Sequence, residues 1–116
     1  MRRFASNQIG IESGQRVLFD HFSYPTEMWT GSGARQVAQS VTFSEPFLEV
    51  PDVTIAITML DQHGETNLRI DVRAEDVTVT GCTLIAEVWQ DTRIARLRLA
   101  WRAIGPVADP DEFWDV

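Results

Sequence analysis

The stretch CTLIAEVWQDTRIARLRLAWRAI, residues 82–104, decides the fold. Read in steps of two, Cys82, Leu84, Ala86 and Val88 fall on one side. Thr83, Ile85, Glu87 and Trp89 fall on the other. That is the period of a strand with one buried face. The QDT at 90–92 breaks the pattern like a turn, so the alternation that resumes at Ile94 belongs to a second strand. There Ala95, Leu97, Leu99 and Trp101 share an apolar row opposite Ile94, Arg96, Arg98 and Arg102. The two tryptophans therefore differ in kind. Trp101 lies in the apolar row, while Trp89 ends its strand in the mixed one.

The same period spreads outward from this hairpin. In VTIAITML, Val53, Ile55, Ile57 and Met59 oppose Thr54, Ala56 and Thr58. In NLRIDVRA, Leu68, Ile70 and Val72 oppose Arg69, Asp71 and Arg73, a half-buried strand with a charged outer row. DQHGET between these two runs has the composition of a tight connection. Upstream, GQRVLFDHF and SVTF read as two shorter strands, separated by the loop-like SYPTEMWTGSGARQ with Pro25, Gly31 and Gly33. No helical stripe extends beyond about two turns. Short alternating strands with frequent turn signals predict an all-β, antiparallel sandwich. We divide the chain into an N-terminal strand-and-loop arm (1–37), a core (38–105) that forms one domain with the arm, and an acidic tail (106–116). The tail reads as a mobile acidic end or as an arm that docks Phe113 and Trp114 on a neighbour.

Composition narrows the function. With 116 residues the chain has the size of one domain with a modest core. The net charge of −7 argues against a general affinity for nucleic acid or anionic membrane surfaces. All ten basic residues are arginine, which fits either a GC-rich genome or a demand for planar, bidentate donors. Cys82 is alone, so no intrachain disulfide forms, and a reducing folding environment suits it. The N-terminus carries no apolar run long enough for a signal-peptide core, and no segment reads as a membrane span. These features predict synthesis in a cytoplasm, with the place of action a separate matter.

Signals of catalysis are weak. Asp61, His63 and Glu65 sit on alternate positions and offer a conceivable metal contact or hydrolase site. A solvated turn is the commoner meaning of such a run. There is no zinc-type spacing, phosphate-binding glycine loop or nucleophile motif, and no enzyme is expected. Arg69, Arg73, Arg96, Arg98 and Arg102 all fall on outer rows. They have three readings: recognition of an anion, cross-strand pairing with Asp71, Glu75 and Glu87, or a subunit interface.

Several separated pieces, in order, resemble the H-type lectin domain. They are LD at 60–61, NLR at 67–69, VTVTG at 77–81, WQDT at 89–92 and the W-x-AI ending at Ile104, preceded by SVTFSEPF at 40–47. The likeness covers about residues 38 to 104. It implies a six-stranded antiparallel β-sandwich that assembles as a trimer, in some members as a hexamer. It also implies shallow sites between protomers for galactose or N-acetylgalactosamine-type sugars. Carried over by position, the sugar-binding residues are Arg69, Trp89, Gln90 and the loop Thr30, Gly31 and Ser32. The chemistry suits a sugar: a guanidinium supplies directed donors to hydroxyls, and an indole face packs on the C–H patch. Two positions depart from the well-known sugar binders, which carry a histidine in place of Gln90 and an acid in place of Ser32. Losing that carboxylate removes a charge-assisted acceptor, a bond worth about 1.5–3 kcal/mol. Asp91 and Glu27 are the nearby acids able to replace it.

The resulting expectation is a homotrimeric, non-catalytic module that binds cell-surface glycans, with avidity from repeated weak sites. A leader-free start suits a part of a phage or phage-like fibre that is assembled inside a bacterium and released to act outside. The rival is a trimerising connector without sugar binding. No cofactor is called for, with calcium left open. The expected partners are glycans and further copies of the chain, as trimer or hexamer, without nucleic acid or membrane insertion.

Overall fold

The computed structural model describes residues 1–5 and 8–110. Phe113 and Trp114, the expected docking pair of the tail, lie outside the described residues. Among the described residues six strands form: β1 (Ile9–Asp20), β2 (Arg35–Thr42), β3 (Asp52–Gln62), β4 (Ile70–Glu75), β5 (Gly81–Val88) and β6 (Ile94–Pro106). One helical turn, α1 (Glu27–Thr30), interrupts the long loop before β2. The strands make two antiparallel three-stranded sheets, ordered β1-β6-β3 and β2-β5-β4. The architecture is the expected six-stranded sandwich.

The core lies where the period-two rows meet. Cys82, Leu84, Ala86 and Val88 of β5 face Leu97, Leu99, Trp101 and Ala103 of β6, and all are buried. Phe43 and Phe47 close the far end against each other at 5.2 Å, and Phe43 reaches Trp101 at 5.9 Å. On the outer face of the second sheet, Arg73 lies between Asp71, Glu75 and Glu87, at 2.7, 2.7 and 2.9 Å. These partners hold its guanidinium pKa above the ordinary value, the hydrogen bond to Glu75 contributing most. Of the three readings of the outer-row arginines, cross-strand pairing holds for Arg73 with Glu87, whereas Asp71 and Glu75 are neighbours on its own strand. Arg96 pairs across strands with Asp61 at 3.2 Å. Ile85, in the same outer row, is nonetheless buried. Its register partners are Ala38 and Arg73, so the paired arginine stem covers an apolar side chain.

Simple alternation fails in three places of the first sheet, two of them at one level. Register shifts fall between Val17 and Phe19 on β1 and between Ile57 and Met59 on β3, each opposite Leu97–Leu99 of β6. Each adds one residue to a flanking strand, which bends it and increases the local twist. Val17 and Leu18 carbonyls accept from Gln39 Nε2, at 2.8 and 3.2 Å. The Thr58 hydroxyl bonds the Arg98 carbonyl at 3.2 Å. Side chains thus satisfy backbone groups near both irregularities. The bulge on β3 brings Met59 opposite Arg98, out of the row it shares with Val53 and Ile55 in a uniform strand. A further shift at Asp61/Gln62 accompanies the burial of both Ile94 and Ala95.

Candidate functional site

Three loops converge at the end of the sandwich where β4 begins and β5 ends. The last β4–β5 pair is Ile70–Val88, and the first β2–β5 pair is Arg35–Val88. One step beyond this rung stand Arg69, Trp89 and Ala34. The register therefore brings Arg69 and Trp89 to the same end of the second sheet, although they lie far apart in sequence. Trp89 keeps 38% of its surface exposed, while Trp101 keeps 6%. The two tryptophans have the separate fates that their rows predict.

The turn after Trp89 is held from both sides. Gln90 has φ of 56°, a left-handed conformation rare outside glycine and asparagine, which costs about 1 kcal/mol or more. Asp91 accepts at Oδ2 from the Asn67 backbone N–H and from Asn67 Nδ2, both at 3.2 Å. Its Oδ1 takes Arg69 Nη1 at 3.2 Å. These bonds, led by the Asn67 backbone N–H, hold the Asp91 carboxyl below its ordinary pKa. Thr92 is fully buried; its hydroxyl donates to the Asn67 carbonyl at 2.7 Å and accepts from the Arg69 N–H at 2.8 Å. Asp91 thus serves Arg69 and the 63–69 loop, which leaves its carboxylate about half exposed beside Trp89.

The third loop carries Thr30, Gly31 and Ser32. Thr26 caps α1 by accepting from the Met28 N–H at 3.2 Å, and Met28 is buried. Thr30 is tied down through its hydroxyl, which donates to the Thr26 carbonyl at 3.3 Å. Gly31 is required by close approach: a Cβ there would lie 2.7 Å from the Glu27 carbonyl and 2.8 Å from Arg35 Cδ. Ser32 is exposed. The Gly33 N–H then donates to the Gln90 carbonyl at 3.0 Å, joining this loop to the Trp89 turn. All six sequence-derived residues, Thr30, Gly31, Ser32, Arg69, Trp89 and Gln90, belong to this one end of the molecule.

The residue that sequence reasoning missed is Arg35. It is buried, and its guanidinium donates only to backbone carbonyls: Nε to Gly33, Nη1 to Glu27 and Met28, Nη2 to Gln90 and Thr92. Burial lowers its pKa, with the Glu27 charge opposing and the Arg93 charge assisting. A signal was present. Val37 and Val41 set an inward row, and counting back by two reaches Arg35. Beside the site, Trp29 packs between His21 and His63, with ring centroids at 6.2 and 5.5 Å. Asp61, His63 and Glu65 are engaged separately. Asp61 pairs with Arg96, and the His63 Nδ1 accepts from the Glu65 N–H at 3.1 Å. No group of three metal-ligating side chains occurs among the described residues.

The model of the H-type lectin domain matches residues 38–104, more than half of the chain. The chain belongs to the H-type lectin family. Two solved structures of discoidin II from Dictyostelium discoideum, one recombinant and one wild-type, superpose with TM-scores of 0.74 at 22% identity. They cover 90% and 89% of this chain, which spans only 40% and 39% of theirs, so the likeness is one of fold. A relative from Fuscovulum blasticum, "ATP synthase subunits region ORF 7", is 44% identical over 108 residues, covering 93% of each chain. Its name states a place in a genome and no activity.

Proposed function

We propose that this H-type lectin domain is a non-catalytic carbohydrate-binding module whose site is Arg69, Trp89, Gln90 and the Thr30–Ser32 loop. The observation that carries the reading is the convergence of the Arg69, Trp89–Thr92 and Thr30–Gly33 segments on one rim. They are tied together by the Arg69–Asp91 pair, the Arg69 N–H to Thr92 bond and the Gly33 N–H to Gln90 bond. The indole offers an apolar face to sugar C–H groups, and the guanidinium, with one Nη on Asp91, retains donors for hydroxyls. Asp91 supplies the exposed carboxylate that Ser32 lacks, so the site keeps an acceptor for a galactose-type hydroxyl pair.

The module acts as a homotrimer. The outer face of the β1-β6-β3 sheet supports this assembly: Ile9, Ile11 and Val17 are exposed there. Beside them Ser13, Thr54, Ala56 and Ala100 leave a shallow depression of about 380 Å³ into which a neighbouring copy fits. A phage or phage-like fibre, released to act on cell surfaces, is the setting that suits such a trimer. Recovery of the chain in particles released by lysis tests that setting.

A glycan array with the purified protein, repeated on Arg69→Ala and Trp89→Ala, tests the site. Binding is expected for the parent and lost in both variants; binding that survives both changes overturns the assignment. Light scattering is expected to give three times the chain mass, and a stable monomer refutes the trimer. The second reading, a connector without sugar binding, draws on the neutral residues at Ser32 and Gln90. It gains if no glycan binds while the trimer stands.

A further inference from the structure

We propose that Arg35 is a positioning residue that fixes the two halves of the sugar site in one arrangement before any ligand arrives; this rests on the site reading above. A guanidinium has five N–H groups. Here the acceptors are the carbonyls of Glu27, Met28 and Gly33 on one loop and of Gln90 and Thr92 on the other, at 3.0, 3.5, 2.9, 3.2 and 2.8 Å. The first loop carries Thr30–Ser32, and the second carries Gln90 and follows Trp89. Arg35 touches no ligand position itself. It acts through the backbone on both sides.

Stability alone is a poor account of this residue. Arg35 makes no ion pair with a carboxylate among the described residues: its direct partners are backbone dipoles, and the Glu27 charge acts on it only at longer range. A well-packed apolar side chain of similar volume commonly serves stability as well or better. Arg35 and Thr92 are also the two buried polar or charged residues of the described fold, and they are bonded to each other. Thr92 extends the tie through its hydroxyl to Asn67 and Arg69. Polar burial is therefore concentrated beneath the candidate site. The Gln90 carbonyl accepts twice, from Arg35 and from the Gly33 N–H, which holds the left-handed turn beside Trp89. Lysine cannot replace this set, because an ammonium has three donors on a point rather than five in a planar fork.

The test uses the full chain with Arg35→Lys and Arg35→Met. Amide exchange is followed at Gly33, whose N–H bridges the two loops, against the β6 amides from Ala100 to Ala103. Both variants are expected to keep the parent mass and β6 protection. Gly33 exchange should accelerate about tenfold or more, the loss expected when bonds from a charged donor are broken. Affinity for any glycan found on the array should fall by about the same factor, with Lys giving no rescue. If the Met variant does not fold, the Lys variant carries the comparison. Failure of both to fold overturns the proposal, because a clamp on loops leaves the sandwich intact. Unchanged Gly33 protection, or a parallel rise at Gly33 and β6, also overturns it. If the parent binds no glycan, the carbohydrate reading falls, while the exchange pattern still decides the clamp.

Discussion

Replacing Thr92 by valine keeps the shape of a fully buried side chain and deletes its two hydroxyl hydrogen bonds, at 2.7 and 2.8 Å. Each such bond contributes about 1 kcal/mol net, and a backbone partner left without one costs about 1–3 kcal/mol. The Asn67 carbonyl and Arg69 N–H are only part-buried, so water can reach them and the lower end applies. The expected loss is about 2–3 kcal/mol. Unfolding entropy of about 2.1 cal/mol/K per residue, over 116 residues, gives about 0.24 kcal/mol/K, so the melting temperature should fall by about 8–12 °C. Thr92→Ser is the control: it keeps the hydroxyl and deletes one methyl, at a cost of about 0.8–1.5 kcal/mol. Thermal and denaturant unfolding, both at one fixed protein concentration, measure the order of the two variants. A valine variant as stable as the serine variant would show that the hydroxyl bonds do not hold the Asn67–Arg69 loop.

Asp91 governs an acid-side effect. Its folded pKa is depressed, so its contribution is complete above the ordinary carboxyl value of 3.8 and is lost as pH falls through the lower folded value. Stability of the parent should therefore drop more steeply than that of Asp91→Asn below about pH 4, as read from denaturant midpoints; parallel curves would count against the Asn67 and Arg69 contacts. Glycines separate by surroundings. A Cβ at Gly81 would lie 2.2 Å from the Val41 carbonyl, whereas one at Gly64 meets nothing within 4 Å. Gly81→Ala is expected to cost about 2 kcal/mol or more and Gly64→Ala almost nothing, by thermal melting. Equal melting temperatures would show that the β2–β5 pair can separate freely at that rung.

Much of this arrangement is legible in residue order. Period-two rows place Trp101 inside and leave Trp89 at a strand end, and the charged row of β4 is where the Arg73 pairs form. The rows mislead where a residue is inserted. Nothing in VTIAITML announces the bulge that brings Met59 opposite Arg98, because a bulge depends on the curvature of neighbouring strands. Ile85 is buried on a charged side because the Arg73 stem covers it, an outcome that requires both partners. The six site positions came from resemblance to a family, and the structure brings them to one end. Arg35 escaped notice because arginine in a Gly- and Ser-rich flank reads as solvated loop. Its role depends on carbonyls up to 57 positions away.

The central strand of the first sheet is also the last strand among the described residues. During synthesis, β2, β4 and β5 can join once Val88 has emerged. β1 and β3 have no partner until β6 follows, through Pro106. Two long strands thus spend the interval with both edges open, the state most exposed to wrong pairing. Pairings this distant also close slowly, on the scale of milliseconds to seconds for β-sandwiches. A chain that has emerged only as far as Arg93 would therefore present a finished half-sandwich beside two adhesive strands, which makes the emergence of the thirteen residues of β6 the step most exposed to misassembly.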